Sequence, residues 1–198
     1  MKKVIFLSLL ILVLSACAFA ASVGDSWFYS VRDAGGALQP WWSESGAFAN
    51  SSAVSTATGA SGQSRYGSTY TSIVGLKEGT WTANLPVAGS YEVFVTWGTA
   101  TNRKPGIPHT VTYNGGSNTV LVDQTATQNV WVSLGEYDFL AGEGNATVMI
   151  SNEGVNVSGS MYANTAKFTL TEIVPEPSSF LALGAGLMGM VGFLRRRR

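Results

Sequence analysis

Residues 81–97 read WTANLPVAGSYEVFVTW, and this stretch decides the fold class. In its second half, large apolar residues occupy every other position of 91–97, a period of two that predicts a β-strand. A shorter apolar segment precedes it and is separated from it by Pro86 and the turn residues Ala88-Gly89. Phe94 is apolar on the opposite face, so we expect this strand to be covered on both sides.

Short apolar segments of the same kind continue along the chain, with Gly or Asn between them. They lie at 27–31, 110–113, 119–122, 130–134, 137–140, 146–150 and 166–170. Asn114-Gly115-Gly116 predicts a hairpin turn, because Asn and Gly tolerate positive φ. Residues 43–72, rich in Ser, Thr, Ala and Gly, predict a loop with short edge strands. Because no helical pattern of useful length appears between the two ends of the chain, the sequence predicts an all-β sandwich.

Several of these segments together resemble the carbohydrate-binding-like domain of golvesin and xanthan lyase. They are YGSTY at 66–70, the stretch 81–97, TVTYNGG at 110–116, WVSLGEYDF at 131–139 and ANTAKF at 163–168. The resemblance places such a domain at 46–172, after a lead-in segment at 21–45, and implies a jelly-roll-like β-sandwich that binds carbohydrate. Asn164 stands where the family usually has an acidic residue, which puts any role of that acid in question here.

The N-terminus has the order of parts of a signal peptide. Lys2 and Lys3 precede an apolar run at 4–14, and Ala18 and Ala20 supply the small residues that place cleavage after Ala20. A second site overlaps it, because Leu14-Ser15-Ala16-Cys17 resembles a lipobox with Cys17 as the lipidated residue. We favour residues 1–20 as an ordinary signal peptide, since the chain has an anchor at its other end; the mature protein then lacks cysteine.

The C-terminus combines a short motif, an apolar run and a basic end. Pro175-Glu176-Pro177 is followed by apolar residues at 180–194 and by four arginines, Arg195, Arg196, Arg197 and Arg198. Fifteen helical residues span about 22 Å, less than the ~30 Å hydrocarbon core. Flanking serines and snorkelling arginines extend the helix enough to predict a transmembrane segment, with the arginines in the cytoplasm.

This order of parts resembles the PEP-CTERM protein-sorting signal over residues 174–198. The resemblance implies recognition by a membrane-embedded exosortase, which is thought to cut near the Pro-Glu-Pro motif. It also implies anchoring in the inner membrane, followed by release to the cell surface or the extracellular matrix. A plain tail anchor, in which Pro175 and Pro177 only end a strand and begin a helix, is the alternative.

Charge and chemistry exclude several functions. Residues 21–174 carry six basic and eleven acidic side chains, a net charge of −5 without a basic stripe, which argues against nucleic-acid binding. One histidine, His109, and one cysteine support neither a metal cluster nor a Ser-His-Asp triad, and no cofactor motif is recognised. His109 is interpreted as structural. A calcium site built from backbone carbonyls and Asp123 or Asp138 stays open.

Aromatic residues are the candidates for glycan binding, because an exposed ring stacks on the C–H face of a sugar. The candidates are Trp41, Trp42, Tyr66 and Tyr70. Adjacent strand residues face opposite ways, so at most one of the two tryptophans points inward if their segment is extended. We assign Trp81, Trp97 and Trp131 to the core. Arg103 and Lys104 lie in a Pro/Gly loop, either to meet an acidic polymer or simply to be solvated.

The sequence therefore predicts an exported envelope or matrix protein with one non-catalytic, carbohydrate-binding domain. Two alternatives remain: a structural or adhesive protein that binds other proteins, and a hydrolase with an unrecognised site.

Overall fold

The computed structural model describes residues 21–69 and 71–174. Apart from one helical turn, the regular secondary structure of this part of the chain is β-strand, which confirms the predicted fold class. The strands are β1 Ser26–Ser30, β2 Trp42–Ser45, β3 Ala49–Asn50, β4 Arg65–Ser68, β5 Glu78–Leu85, β6 Gly89–Thr96, β7 Ile107–Tyr113, β8 Gly116–Val122, β9 Val132–Phe139, β10 Gly142–Ser151, β11 Ser160–Ala163 and β12 Thr165–Ile173, with one helical turn, α1, at Thr71–Val74.

The predictions for the two ends of the chain and for Tyr70 lie outside the described residues. They concern the signal peptide with Cys17, Ala18 and Ala20, the motif Pro175-Glu176-Pro177, the helix 180–194 and Arg195–Arg198. Within residues 21–69 and 71–174, no helix has the length and apolar character needed to cross a membrane.

Two antiparallel sheets form the sandwich, and a small third sheet flanks them. One sheet has the order β1-β12-β6-β9 and the other the order β2-β5-β10-β7-β8, while β11-β4-β3 form the small sheet. The stretch 81–97 joins the two large sheets, because β5 belongs to one and β6 to the other. Pro86 begins the connection between them, and its missing N–H ends the ladder of β5 there.

The inner faces of the two large sheets meet in one core. Alternate residues of β5 and β6 point into it, and Trp81 and Trp97 are each only 1% exposed. The prediction that these two rings are buried is therefore confirmed. On the outer face of β6, Phe94 is half-buried and the Lys167 ammonium lies 3.8 Å from its ring centre, so this strand is partly covered on both sides.

The prediction that Trp131 is a core residue is wrong. Its ring is half-exposed on the outer face of the four-stranded sheet, 5.8 Å from the ring of Phe28. The indole N–H donates to the Thr58 carbonyl at 3.1 Å, and the Lys167 ammonium lies 4.8 Å from the ring. The reason is the period of the strand: Leu134 points into the core, so Trp131, three residues earlier, points out.

The Ser/Thr-rich segment 51–64 is ordered, and it folds over part of that outer face. Ser55 and Thr96 share a hydrogen bond at 2.6 Å, and the Asn164 side-chain amide donates to the Gly62 carbonyl at 2.9 Å. Gly62 has φ +68°, and any Cβ there would overlap the Arg32 carbonyl oxygen. A carboxylate at position 164 would have no proton to donate to the Gly62 carbonyl. Asn164, which stands where the family usually has an acidic residue, therefore holds this loop against the sheet through its amide.

Candidate functional site

The segments after β3 and β6 meet β11 in a cleft of about 630 Å³, here called the Tyr162 cleft. Its lining consists of hydroxyl, amide and small side chains with one aromatic ring: Ser51, Ser52, Ala53, Val54, Thr99, Ala100, Thr101, Asn102 and Tyr162. None of these nine residues is charged. The cleft therefore offers uncharged hydrogen-bonding groups and the small accessible part of Tyr162, a residue that is 7% exposed.

Tyr162 is paired with Tyr66, one of the residues predicted from the sequence. The two residues lie opposite each other on β11 and β4, and their rings stack at 5.6 Å with an interplanar angle of 23°. The Tyr162 hydroxyl donates to Asn102 Oδ1 at 2.7 Å. Burial raises the pKa of Tyr162, so its hydroxyl keeps its proton at neutral pH. Tyr66 is partly exposed, packs against the core as Trp41 does, and adjoins the cleft through its contact with Tyr162 without lining it.

A buried glutamine holds Tyr162 in place. The Gln124 amide donates to the Tyr162 carbonyl and accepts from the Tyr162 N–H, both at 2.8 Å. The Trp97 indole N–H in turn donates to the Gln124 carbonyl at 3.1 Å. Because Gln124 is fully buried, these bonds are shielded from water and fix the floor of the cleft.

Asn129 ties the two walls of the cleft together. Its side-chain oxygen accepts from the Thr56 N–H and its amide donates to the Thr99 hydroxyl, both at 3.2 Å, and its own N–H donates to the Trp97 carbonyl at 2.9 Å. The backbone of Asn129 has φ +59°, a conformation that asparagine tolerates better than most residues. These bonds fix the positions of the two segments relative to each other.

A second depression of about 470 Å³ adjoins the Tyr162 cleft, and we call it the Arg103 depression. It shares Thr99, Ala100 and Thr101 with the cleft and adds Arg103, Thr125 and Gln128. The guanidinium of Arg103 thus brings one positive charge next to an otherwise uncharged surface.

Another cleft, of about 540 Å³, lies where β7 and β8 meet β9, and we call it the Tyr113 cleft. Tyr113 and Tyr137 stack there at 4.9 Å, and Asn118 donates to the Tyr137 hydroxyl at 2.9 Å. Glu136 and Asp138 line the same cleft. This second tyrosine pair resembles the first in geometry but is set among carboxylates.

The two tryptophans predicted as glycan ligands do not form an exposed surface. Trp42 is 6% exposed, its ring lies 4.8 Å from that of Trp81, and its indole N–H donates to Glu44 at 2.7 Å. The half-buried Trp41 donates to the Ser30 carbonyl at 2.9 Å and packs edge-on to Tyr29. The segment is extended only from Trp42 onward, because a turn that includes Trp41 precedes β2, and both rings pack against the core.

The other polar candidates have local partners. His109 is 1% exposed, shares a hydrogen bond with the Ile107 carbonyl at 3.0 Å, and burial lowers its pKa to about 4. The Asp123 carboxylate accepts from the Thr125 N–H at 2.8 Å and from the Ala126 N–H, while Asp138 accepts from Ser90. Over residues 21–69 and 71–174, no three His, Cys, Asp or Glu side chains cluster as metal ligands do.

Comparison with protein families gives two matches that do not overlap. Residues 43–170 match the Golvesin C-terminal domain, and residues 174–198 match the PEP-CTERM protein-sorting motif. Both resemblances seen in the sequence are confirmed. The second match indicates an exported protein that is sorted through the membrane.

Among individual proteins, xanthan lyases are similar to this chain. Xanthan lyase from Bacillus sp. strain GL1 is 36% identical over 108 residues, which are 52% of this chain and 12% of the lyase. A Paenibacillus xanthan lyase structure superposes with a TM-score of 0.60 at 26% identity, covering 79% of this chain and 14% of the lyase. A Podospora anserina mannanase with a CBM35 module is more distant, at 16% identity and a TM-score of 0.46 over 79% of this chain and 29% of the mannanase. The chain therefore spans a small part of the lyases that it matches.

Proposed function

Because the chain belongs to the Golvesin C-terminal domain family, we propose that its β-sandwich binds extracellular polysaccharide, and that the Tyr162 cleft is the binding site. The observation that carries this proposal is the stacked pair of Tyr66 and Tyr162 beside a rigid cleft lined by hydroxyl and amide groups. Sugars present hydroxyl groups and flat C–H faces, and these are the groups that such a surface complements.

Rigidity supports the choice of this cleft. A flexible polysaccharide loses conformational entropy when it binds. If the binding site is already fixed, the protein loses little conformational entropy in addition. Gln124 fixes Tyr162, and Asn129 joins the segments around Thr56 and Thr99, so the cleft needs no rearrangement to accept a chain. Tyr66 supplies a half-exposed ring at its border, and Asn102 supplies an exposed amide in its wall.

We propose binding without cleavage. Glycoside hydrolysis uses a pair of carboxyl groups that flank the scissile bond, and the lining of the Tyr162 cleft has no carboxylate. His109, the one histidine in the chain, is buried in the core with a lowered pKa and does not line the cleft. The similar lyases are enzymes by name, but this chain matches only 12% and 14% of their lengths.

The sorting motif extends the proposal to the export and processing of the protein. Residues 1–20 direct export and are removed after Ala20, residues 21–45 lead into the domain at 46–172, and residues 174–198 hold the chain in the inner membrane. An exosortase then cuts near Pro175-Glu176-Pro177, and the domain reaches the cell surface or the matrix, where it meets polysaccharide.

Processing at the tail predicts a defined change in mass. Protein isolated from cells that contain an exosortase should lack Arg195–Arg198, and protein from otherwise identical cells without the enzyme should retain them. Intact-mass spectrometry distinguishes the two forms. Retention of the arginines in both strains would show that residues 174–198 act as a permanent anchor instead.

Substitution of the cleft tyrosine predicts a loss of binding. Tyr66→Ala should weaken polysaccharide binding about tenfold, because it removes the half-exposed ring, and a tenfold loss corresponds to about 1.4 kcal/mol. Asn102→Ala, which removes an exposed wall amide, should weaken binding in the same direction. Affinity electrophoresis in gels that contain polysaccharide measures both effects.

The matched control is Tyr113→Ala, because Tyr113 also stacks on a second tyrosine but lines the other cleft. This variant should bind like the wild type. The reverse pattern, with binding lost in Tyr113→Ala and kept in Tyr66→Ala and Asn102→Ala, would move the site to the Tyr113 cleft. Absence of binding by the wild type across a broad panel of polysaccharides would favour a structural or adhesive role.

A further inference from the structure

The side chain of Arg103 is incompletely hydrogen-bonded. Its Nε is buried and has no hydrogen-bond partner among the described residues, and its Nη1 lies 3.5 Å from the Gly98 carbonyl, at the limit of a hydrogen bond. A buried donor without a partner is destabilising.

The other two arginines of residues 21–174 have hydrogen-bond partners for their guanidinium groups. Arg65 forms a two-pronged ion pair with Glu44, with Nε and Nη2 each 2.6 Å from a carboxylate oxygen. Arg32 donates from Nε to the Gly36 carbonyl at 2.6 Å and from Nη1 to Gln63 at 2.8 Å. In both cases Nε has an acceptor, so the free Nε of Arg103 is an exception within this domain.

The surroundings of Arg103 offer hydroxyls but no anion. The Arg103 depression is lined by Thr99, Thr101, Thr125 and other uncharged residues, and no ion pair to Arg103 occurs in the described part of the chain. Asp123, two residues before Thr125, uses one carboxylate oxygen to accept from the N–H groups of Thr125 and Ala126. The described residues therefore supply no anionic partner for the guanidinium, and an anion from outside can reach only its Nη atoms.

We infer that Arg103 docks a carboxylate of an acidic polysaccharide, such as a chain that contains uronic acids. Because Nε is buried, the carboxylate contacts the end of the guanidinium, where Nη1 and Nη2 each donate one of two parallel, charge-assisted hydrogen bonds. The Tyr162 cleft and the Arg103 depression share Thr99–Thr101, so one chain extends across these residues and contacts both. This inference rests on the proposed function and names the class of polysaccharide.

The net charge of the domain opposes non-specific binding of an acidic polysaccharide. Residues 21–174 carry a charge of −5, which repels an acidic polymer at long range. The domain itself therefore does not attract acidic polysaccharides non-specifically. Because the full-length protein also carries Arg195–Arg198, the local contact is identified by a preference that Arg103→Gln abolishes and Lys104→Gln keeps.

The experiment compares acidic polymers with their own neutral forms. Purified full-length protein is tested by affinity electrophoresis against polygalacturonate and alginate, and against the same two polymers after chemical reduction of their carboxyl groups. The wild type should bind at least one acidic polymer about tenfold more tightly than its reduced form, as expected for loss of a two-pronged arginine contact. Arg103→Gln should bind the acidic and reduced forms equally.

Two further variants distinguish the contribution of the planar guanidinium to binding from the contribution of its positive charge. Lys104→Gln removes the same charge from the neighbouring position and should keep the preference for the acidic form. Arg103→Lys keeps the charge but not the planar fork, and should keep only part of the preference. Thermal melting of each variant verifies that the fold is intact.

The outcomes distinguish this inference from the proposed function. If the wild type binds acidic and reduced polymers equally, or if Arg103→Gln keeps the preference, the role of Arg103 is overturned while polysaccharide binding stands. If the wild type binds none of the four polymers nor any neutral polysaccharide of a broad panel, the proposed function fails and the inference fails with it.

Discussion

Trp97→Ala is expected to lower the free energy of unfolding by about 3–5 kcal/mol, as large-to-small changes in a core do. The ring is 1% exposed, so its removal leaves a cavity between the two sheets. The change also deprives the buried Gln124 carbonyl of its indole donor. Chemical denaturation followed by circular dichroism measures the loss.

Trp131→Ala is the matched control for that experiment. Its ring is half-exposed on the outer face, and the change removes a hydrogen bond to Thr58 and contacts with Phe28 and Lys167. We expect a loss of about 1 kcal/mol, the usual size for contacts outside a core. Equal losses for the two variants would contradict the placement of one ring inside the sandwich and the other outside it.

Acid should destabilise the protein through His109. Burial lowers the pKa of this imidazole to about 4 in the folded chain, while the unfolded chain has the ordinary value of about 6.5. Between these two values the unfolded state binds a proton that the folded state does not, so stability falls as the pH decreases from 6.5 to 4. At 1.36 kcal/mol per pKa unit, the full loss is about 3 kcal/mol.

Two measurements check this pH dependence. His109 is the one histidine in the chain, so its ring protons give an unambiguous NMR titration, which should have a midpoint near 4. His109→Gln cannot titrate, and its free energy of unfolding should decrease less than that of the wild type between pH 6.5 and pH 4. A midpoint near 6.5, or equal pH slopes for the two proteins, would show that the imidazole is solvated.

The central strands were predictable because one face of each strand lies on the core, which produces an alternation of apolar and polar residues in the sequence. The alternation in 91–97 reflects a strand with one face on the core, and the Asn114-Gly115 turn between β7 and β8 is the hairpin that these residues favour. Strands β3, β4 and β11 were not recognised as separate elements. Each has four residues or fewer, too short for a period of two to stand out from the surrounding Ser, Thr and Gly.

The errors over tryptophan have identifiable physical causes. Trp131 was assigned by its apolar neighbours, although Val132 and Leu134 occupy the inward positions and a residue one place from Val132 faces outward. Trp42 was named as a glycan candidate because at most one of the two adjacent rings was expected to point inward; β2 is an edge strand that pairs with β5 and turns this ring toward Trp81. For Trp42 the direction of the side chain depends on which strand its segment pairs with, and the segment alone does not contain that information.

The candidate site was only partly predictable. Tyr66 could be named as an aromatic candidate, and Arg103 as a loop cation, because each carries its chemistry in its own side chain. Gln124 and Asn129 act through hydrogen bonds to residues 38 and 73 positions away, and no local motif marks them. Tyr162 belongs to the site because β11 pairs with β4, a contact between distant parts of the chain.

The most direct test of the account is to map the ligand onto the protein by NMR. Isotope-labelled full-length protein is titrated with polygalacturonate and alginate oligosaccharides and with their carboxyl-reduced forms, while the oligosaccharide signals are followed for cleavage. We predict that amide shifts change at Ser52, Thr99, Thr101 and Tyr162, that those of Tyr113 and Asp138 stay constant, and that no oligosaccharide is cut. Shift changes confined to the Tyr113 cleft, an unchanged spectrum with every oligosaccharide, or cleavage of any of them would contradict a non-catalytic glycan site at the Tyr162 cleft.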